Sequence, residues 1–297
     1  MIFNIFQTAD GGMQYITGDP FRINDNSITQ IPSSAFMYMS NLTAITCSSC
    51  TSIGASAFCR CSSLSQISFP ACTSVASYAF AYCSSLLQVD FSLCTFIDNY
   101  VFSSCSSLSQ ISFPACTSIG NYAFHGCSSL TQANFPVCTY IGISAFRHCA
   151  SLSQISFPLC TSIGTCAFEY CASLTQASFP SCMSIGSWAF DTCSSLSQIS
   201  FPACISIGSE AFDKCTALTQ ISFSVCTSIG YSAFINCSAL SQANFPSCTF
   251  VGPYAFYFCS SLSQISFPVC TSVNYNTFVG CTALTQASFP ACTLIDI

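Results

Sequence analysis

The residues able to do acid–base or metal chemistry in this chain gather in one stretch. His125, Arg147, Glu169, Asp191 and Asp213 follow one another at steps of 22, with His148 and Lys214 one position further on. Imidazoles near a carboxylate are the donor types of a metal site or a general acid–base pair. Such a site needs a cleft that excludes water. The spacing instead predicts groups on an exposed ridge, either solvated variation or a polar hot spot for a partner. Arg147 and Glu169 are expected to meet there as an exposed pair, worth about 0–1 kcal/mol. Ser is abundant, but a nucleophile needs a base beside it, and both His fall on the same ridge. No phosphate-binding loop, calcium loop or four-ligand zinc pattern occurs. No catalytic residue, metal or cofactor is therefore assigned, and no enzymatic activity is expected.

Cysteine is the other reactive group, with 26 in 297 residues. Cys47-Ser-Ser-Cys50 has the spacing used in zinc and redox sites, yet Cys47 stands where later units carry Phe69 and Phe91. Two further ligands are not at hand, so a small core residue is expected. Twenty-three Cys fall into two series with a 22-residue step, Cys61 to Cys281 and Cys50 to Cys292. Strands stacked about 4.7–4.9 Å apart would satisfy the Cα separation of a disulfide. Side chains that point inward in parallel would not bring their Cβ atoms together. Reduced thiols acting as small buried hydrophobes are the expectation. Cys59 and Cys166 are predicted to face outward as the accessible thiols.

These residues are positioned by a repeat. Residues 105–126 read CSSLSQISFPACTSIGNYAFHG, and the pattern returns every 22 residues without an insertion. Self-similarity at this period marks a solenoid, in which each coil buries its apolar face against its neighbours. In Leu108-Ser-Gln-Ile111-Ser-Phe113 the apolar spacing predicts a short strand, with coil-mates stacking into a parallel sheet. Pro114 ends it, since it has no donor for the ladder. In the second half Cys116, Ile119, Ala123 and Phe124 point inward. Gly120 is placed at a tight turn requiring positive φ, where Ala76, Asp98 and Asn274 substitute for Gly. The fold class is thus a leucine-rich-repeat-like, right-handed stack of about twelve coils. A parallel β-sheet lies on one face and short strand, turn or 3-10 segments on the other.

The pattern C-x-x-L-x-x-I-x-F-P-x-C-x-x-I-G-x-x-A-F closely resembles the BspA-like, or Treponema-type, leucine-rich repeats over roughly residues 28–297. The resemblance implies a curved solenoid and, frequently, microbial cell-surface adhesion, without supplying a ligand. Here Cys116 stands where that family more usually has an aliphatic residue. Residues 1–19 read as an N-terminal cap built on a hairpin at Asp10-Gly11, and residues 20–297 as one solenoid. The C-terminal coil looks uncapped, an edge that another chain would meet unless the chain is truncated.

Composition narrows the partners. Four basic and ten acidic residues leave no phosphate-backbone footprint, so nucleic acid is excluded as an expectation. No apolar run of about 18 residues suggests membrane insertion, and no leader pattern opens the chain. Three surfaces remain for a protein or glycan ligand. One is the Gln column, including Gln110, Gln132 and Gln154, whose amides are expected to bond up the stack as in cross-β ladders. The second is the post-Gly stripe of Tyr78, Tyr100, Tyr122, Trp188 and Tyr254. The third is the charged column. The expected function is a non-enzymatic surface or secreted recognition module. The alternative is a structural or self-assembling protein, such as a filament or a receptor-facing part of a phage particle.

Overall fold

The computed structural model describes residues 21–296, preceded by two short strands, Phe6–Gln7 and Met13–Gln14, that pair antiparallel. The expected cap over residues 1–19 otherwise lies outside the described residues. From Phe21 onward the chain is a parallel-strand β-solenoid of about twelve 22-residue coils, with no helix among the described residues. It divides into two compact units, residues 1–138 with 148–152, and residues 139–147 with 153–297.

Each coil contributes two strands. The first begins at the repeat's Gln and runs Gln-x-Ser or Gln-x-Asn in most coils. In the first unit, Phe21–Asn24, Leu42–Thr46 and Gln66–Ser68 form one such sheet, and Gln88–Asp90, Gln110–Ser112 and Gln132–Asn134 form another. The second unit has a sheet of three, from Gln154–Ser156 to Gln198–Ser200, and one of four, from Gln220–Ser222 to Gln286–Ser288. Register is residue on residue, as with Gln110 opposite Gln132 and Ile111 opposite Ala133. The second strand is only two residues long, for example Ser118–Ile119 or Ser162–Ile163, with Ile or Val buried and the preceding side chain outward. Thr residues just before it add a further rung: Thr117 N donates to Thr95 O at 2.8 Å, and its Oγ1 reaches the same carbonyl at 3.1 Å.

The core is two columns of stacked rings. Phe146, Phe168 and Phe190 lie face to face at 5.2 and 5.3 Å. Phe157 and Phe179 stack alongside at 5.5 Å and present edges to the first column. Offset and edge contacts of this kind are worth about 0.5–1.5 kcal/mol beyond area burial. Leu174, Leu196 and Leu218 of the same unit are likewise fully buried.

The cysteine ladders do more than fill volume. Sγ of Cys83 donates to Phe58 O at 3.1 Å, and the same bond recurs from Cys61 to Cys281, always to the Phe 25 residues earlier. That carbonyl already accepts a local N–H, as Phe58 O does from Cys61 N at 3.0 Å. The thiol thus supplies a second donor inside the core, which Ala or Val would not. In most of the other ladder the thiol turns to its own coil, as Cys116 Sγ does to Ser118 O at 3.2 Å, while Cys94 Sγ reaches Cys72 O at 3.3 Å. All 26 Cys are free. Cys166 is partly exposed, but Cys59, expected outside, is buried at 6% exposure in the turn whose backbone bonds tie Cys59 O to Tyr38 N of the preceding coil at 2.9 Å. Burial pushes Cys47, Cys61 and Cys127 up to about 12, and Cys50 to about 11. The thiolate form that zinc or redox chemistry needs is therefore suppressed. In native buffer near pH 8, an aromatic disulfide reagent should label at most a few thiols, led by the partly exposed Cys292, with Cys166 slower because burial and the neighbouring Glu169 push its thiol up to about 12; in denaturant it should label 26. Labelling of most ladder thiols in the native state would contradict this packing.

The glycine column serves a purpose different from the expected one. Gly120, Gly164 and Gly186 do not have positive φ; a Cβ at Gly186 would lie 2.6 Å from Gly164 C and 2.7 Å from Thr165 N. Close approach between coils excludes the side chain there. Positive φ occurs two and six residues later in each coil, mostly at non-Gly residues: Tyr78 and Tyr82, Tyr100 and Ser104, Trp188 and Thr192. Left-handed backbone at such residues is strained. It is held because it turns alternate amides along the stack: N–H groups of Tyr78, Phe80 and Tyr82 donate to Asn99, Val101 and Ser103 of the next coil at 2.8–3.1 Å.

Candidate interaction surfaces

The left-handed positions decide where the aromatic stripe points. In the first unit Tyr78, Tyr100 and Tyr122 stack at 4.5 and 4.6 Å with rings within 5° of parallel. Four residues further along each coil, Arg60 sits between Tyr38 and Tyr82, its guanidinium 5.8 and 4.9 Å from their ring centres. Sequence reasoning passed over that second column, although Tyr38, Arg60 and Tyr82 are spaced by 22 and follow the first column by four. In the second unit Trp188 is exposed, and Tyr254 packs edge-on between Tyr231 and Tyr275 at 5.5 and 5.4 Å.

The charged column corrects the expectation of an exposed ridge. Glu169, Asp191 and Asp213 are buried, at 6, 8 and 6% exposure. The carbonyls of Asp191 and Asp213 join the inter-coil ladder, with Tyr170 N donating to Asp191 O at 2.9 Å and Thr192 N to Asp213 O at 2.8 Å, and each of the three carboxylates has a side-chain partner. Arg147, a third exposed along its side chain, meets Glu169 through Nε–Oε2 at 2.7 Å and donates from Nη2 to Oε1 at 3.0 Å. Its guanidinium also lies 5.7 Å from the Tyr170 ring centre. Asp213 accepts from Lys214 Nζ at 2.8 Å and from Asn236 Nδ2 at 3.1 Å. In the first unit His125 meets His148 edge-on at 5.6 Å. Among the described residues, no three His, Cys, Asp or Glu side chains converge to hold a metal ion.

Asp191 accepts from Thr192 Oγ1 at 2.8 Å. Burial raises its pKa above the ordinary Asp value, and the neighbouring Asp213 adds to the rise. A carboxyl with a raised native pKa favours folding only while protonated. That contribution is present below its unfolded pKa, about 3.9, and is lost as pH rises through the native one. Asp191→Asn is therefore expected to stabilise the protein at neutral pH, with the gain shrinking to nothing in acid. Thermal melts across this range check it, and a variant destabilised equally at every pH would refute it.

The Gln face carries a concave feature. Gln110, Gln132 and Gln154 are exposed and held in line with their coil-mates. The groove lies further along, in the second unit. It has a volume of about 630 Å³ and is lined by Gln220, Gln242, Gln264 and Gln286 beside Ser222, Asn244, Ser266 and Ser288. Sequence could not single out these coils, because the Gln recurs identically in all of them. The amide ladder expected along this face does not form: among the described residues, no side chain of the Gln66–Gln286 column enters a hydrogen bond. The neighbouring column is engaged instead. Ser241 and Ser263 donate to the carbonyls of Thr219 and Ser241 at 3.1 and 3.2 Å. No helix of the described residues is long and apolar enough to cross a membrane.

Comparison with known proteins agrees with this architecture. The family model for the BspA type leucine rich repeat region matches residues 29–150, 117–224, 139–260 and 184–297. A leucine-rich cell surface protein from Faecalibacterium prausnitzii superimposes with a TM-score of 0.55 at 25% identity, covering 96% of this chain and 92% of its own. A leucine-rich repeat protein from Bacteroides ovatus gives 0.59 at 23% identity, covering 100% and 90%. No curated protein matches.

Proposed function

Because the chain belongs to the BspA-type leucine-rich-repeat family, we propose that it is a non-enzymatic binding module of a microbial surface or secretion, taking a protein or glycan on its repeat surface. The groove along Gln220 to Gln286 carries this reading, since it gathers Gln amides that no neighbour in the chain employs. The Faecalibacterium cell surface protein, alike over nearly its whole length, supports a surface role. The buried, internally paired carboxylates offer no general base in a cleft, which supports a role without catalysis.

The test is saturable binding of the purified protein to mucin, extracellular-matrix proteins and immobilised glycans, with Gln242→Glu/Gln264→Glu as the control. Binding that saturates and is lost in the variant supports the proposal. Absence of binding to all three, together with particle mass that grows with concentration, would replace it with the self-assembling alternative.

A further inference from the structure

We infer that the groove of the second unit is a site for an uncharged, extended β-linked polysaccharide lying along the stack, one sugar ring per coil. This rests on the proposed binding role and names its ligand class.

Three observations converge on it. The first is charge: the groove is lined by amides, hydroxyls and the aliphatic edges of Ile221, Ala243 and Ile265, with no ionisable side chain. A charged ligand would lose hydration there without gaining a counter-charge. The second is hydrogen-bonding capacity. Each Gln amide has two donors and an acceptor, and in this column none is spent within the protein. Asn244 Nδ2 is the exception among its neighbours, donating to Ser222 Oγ at 3.3 Å. A row of free amides facing a row of hydroxyls matches the alternating donors and acceptors of sugar hydroxyls.

The third observation is period. Gln242 lies opposite Gln220 and Gln264 opposite Gln242 in unshifted parallel register, so the amides repeat at the inter-strand spacing, roughly 4.8 Å. An extended peptide presents same-side groups every second residue, about 6.6–6.8 Å apart, and drifts out of phase after one coil. A ring in an extended β-linked glycan advances by nearly one coil spacing with alternate rings flipped, so a ring faces every amide and like hydroxyls recur at every second coil. An α-linked chain coils and does not. The groove contains no aromatic platform, so affinity should accumulate from ring to ring rather than reside in one subsite.

Calorimetric titration with cello-oligosaccharides and chito-oligosaccharides of increasing length tests this, with malto-oligosaccharides and a polyanionic glycan as comparisons. Affinity should rise roughly threefold per added ring, the worth of one net hydrogen bond, until the groove is filled. It should be insensitive to salt. Gln242→Ala/Gln264→Ala should weaken binding about tenfold, while Ser62→Ala, exposed in the other unit and outside the Gln column, leaves it unchanged. Two binding patterns would overturn the inference even if glycans bind. Equal or better binding of malto-oligosaccharides or the polyanion is one. The other is length-independent binding. If β-linked glycans fail while a matrix protein binds and is lost in the double variant, the ligand class is wrong and the binding role stands. If nothing binds, both fall.

Discussion

Replacing Phe168 by Ala is expected to lower the unfolding free energy by about 3–5 kcal/mol, the usual cost of emptying a buried aromatic site. Phe168 has no exposed surface and stacks on Phe146 and Phe190 at 5.2 and 5.3 Å, with Phe157 and Phe179 at 6.2 and 5.9 Å. The void cannot collapse easily, because backbone ladders hold the coils above and below in register. Stability in a repeat array resides in interfaces between neighbours, and this substitution weakens two at once. Denaturant unfolding should show a lower midpoint, and a broader or split transition if the array uncouples at that coil. Phe168→Leu should recover much of the loss. A change below about 1 kcal/mol would mean that the rings fill space without coupling the coils.

Gly186→Ala is expected to cost about 1–3 kcal/mol, as overpacking does in a close-packed interior. The new Cβ would meet the backbone of Gly164 and Thr165 rather than a side chain able to swing aside. Separating the coils there would stretch the bond from Gly186 N to Ile163 O, now 2.9 Å. Ala76, Asp98 and Asn274 occupy the same column, so the protein should still fold, but strained. Where a polar residue stands in the column it takes up a bond of its own: Asn274 Nδ2 donates to Val251 O at 2.6 Å. Thermal melts of Gly186→Ala beside Ser187→Ala check the claim. An equal effect of the two would show that the space between coils is not limiting.

Both outcomes bear on how far the chain could be read from its letters. The 22-residue period, the inward Leu, Ile, Phe and Cys, the short Gln strand and its parallel stacking all follow from periodicity and residue type. Those properties act within one coil and repeat, so a single unit predicts the rest. The family follows from the same pattern. The surfaces did not. Glu169, Asp191 and Asp213 read as exposed because carboxylates usually are, and Gly120 read as a left-handed turn because glycine often is. Neither inference had access to the distance between coils.

What the sequence determined alone, then, is the repeat, the identity of its core and the chemistry it lacks: few charges, two histidines and no catalytic spacing. What tertiary structure decided is which of many identical residues matter. Stacking brought Gly186 against Gly164, turned thiols such as that of Cys83 onto buried carbonyls, enclosed Glu169 with Arg147, and left the amides of Gln220 to Gln286 unspent along a groove. The physical reason is that all of these depend on separations between coils, set by backbone hydrogen bonds from one coil to the next. The letters of any single repeat carry no record of those separations.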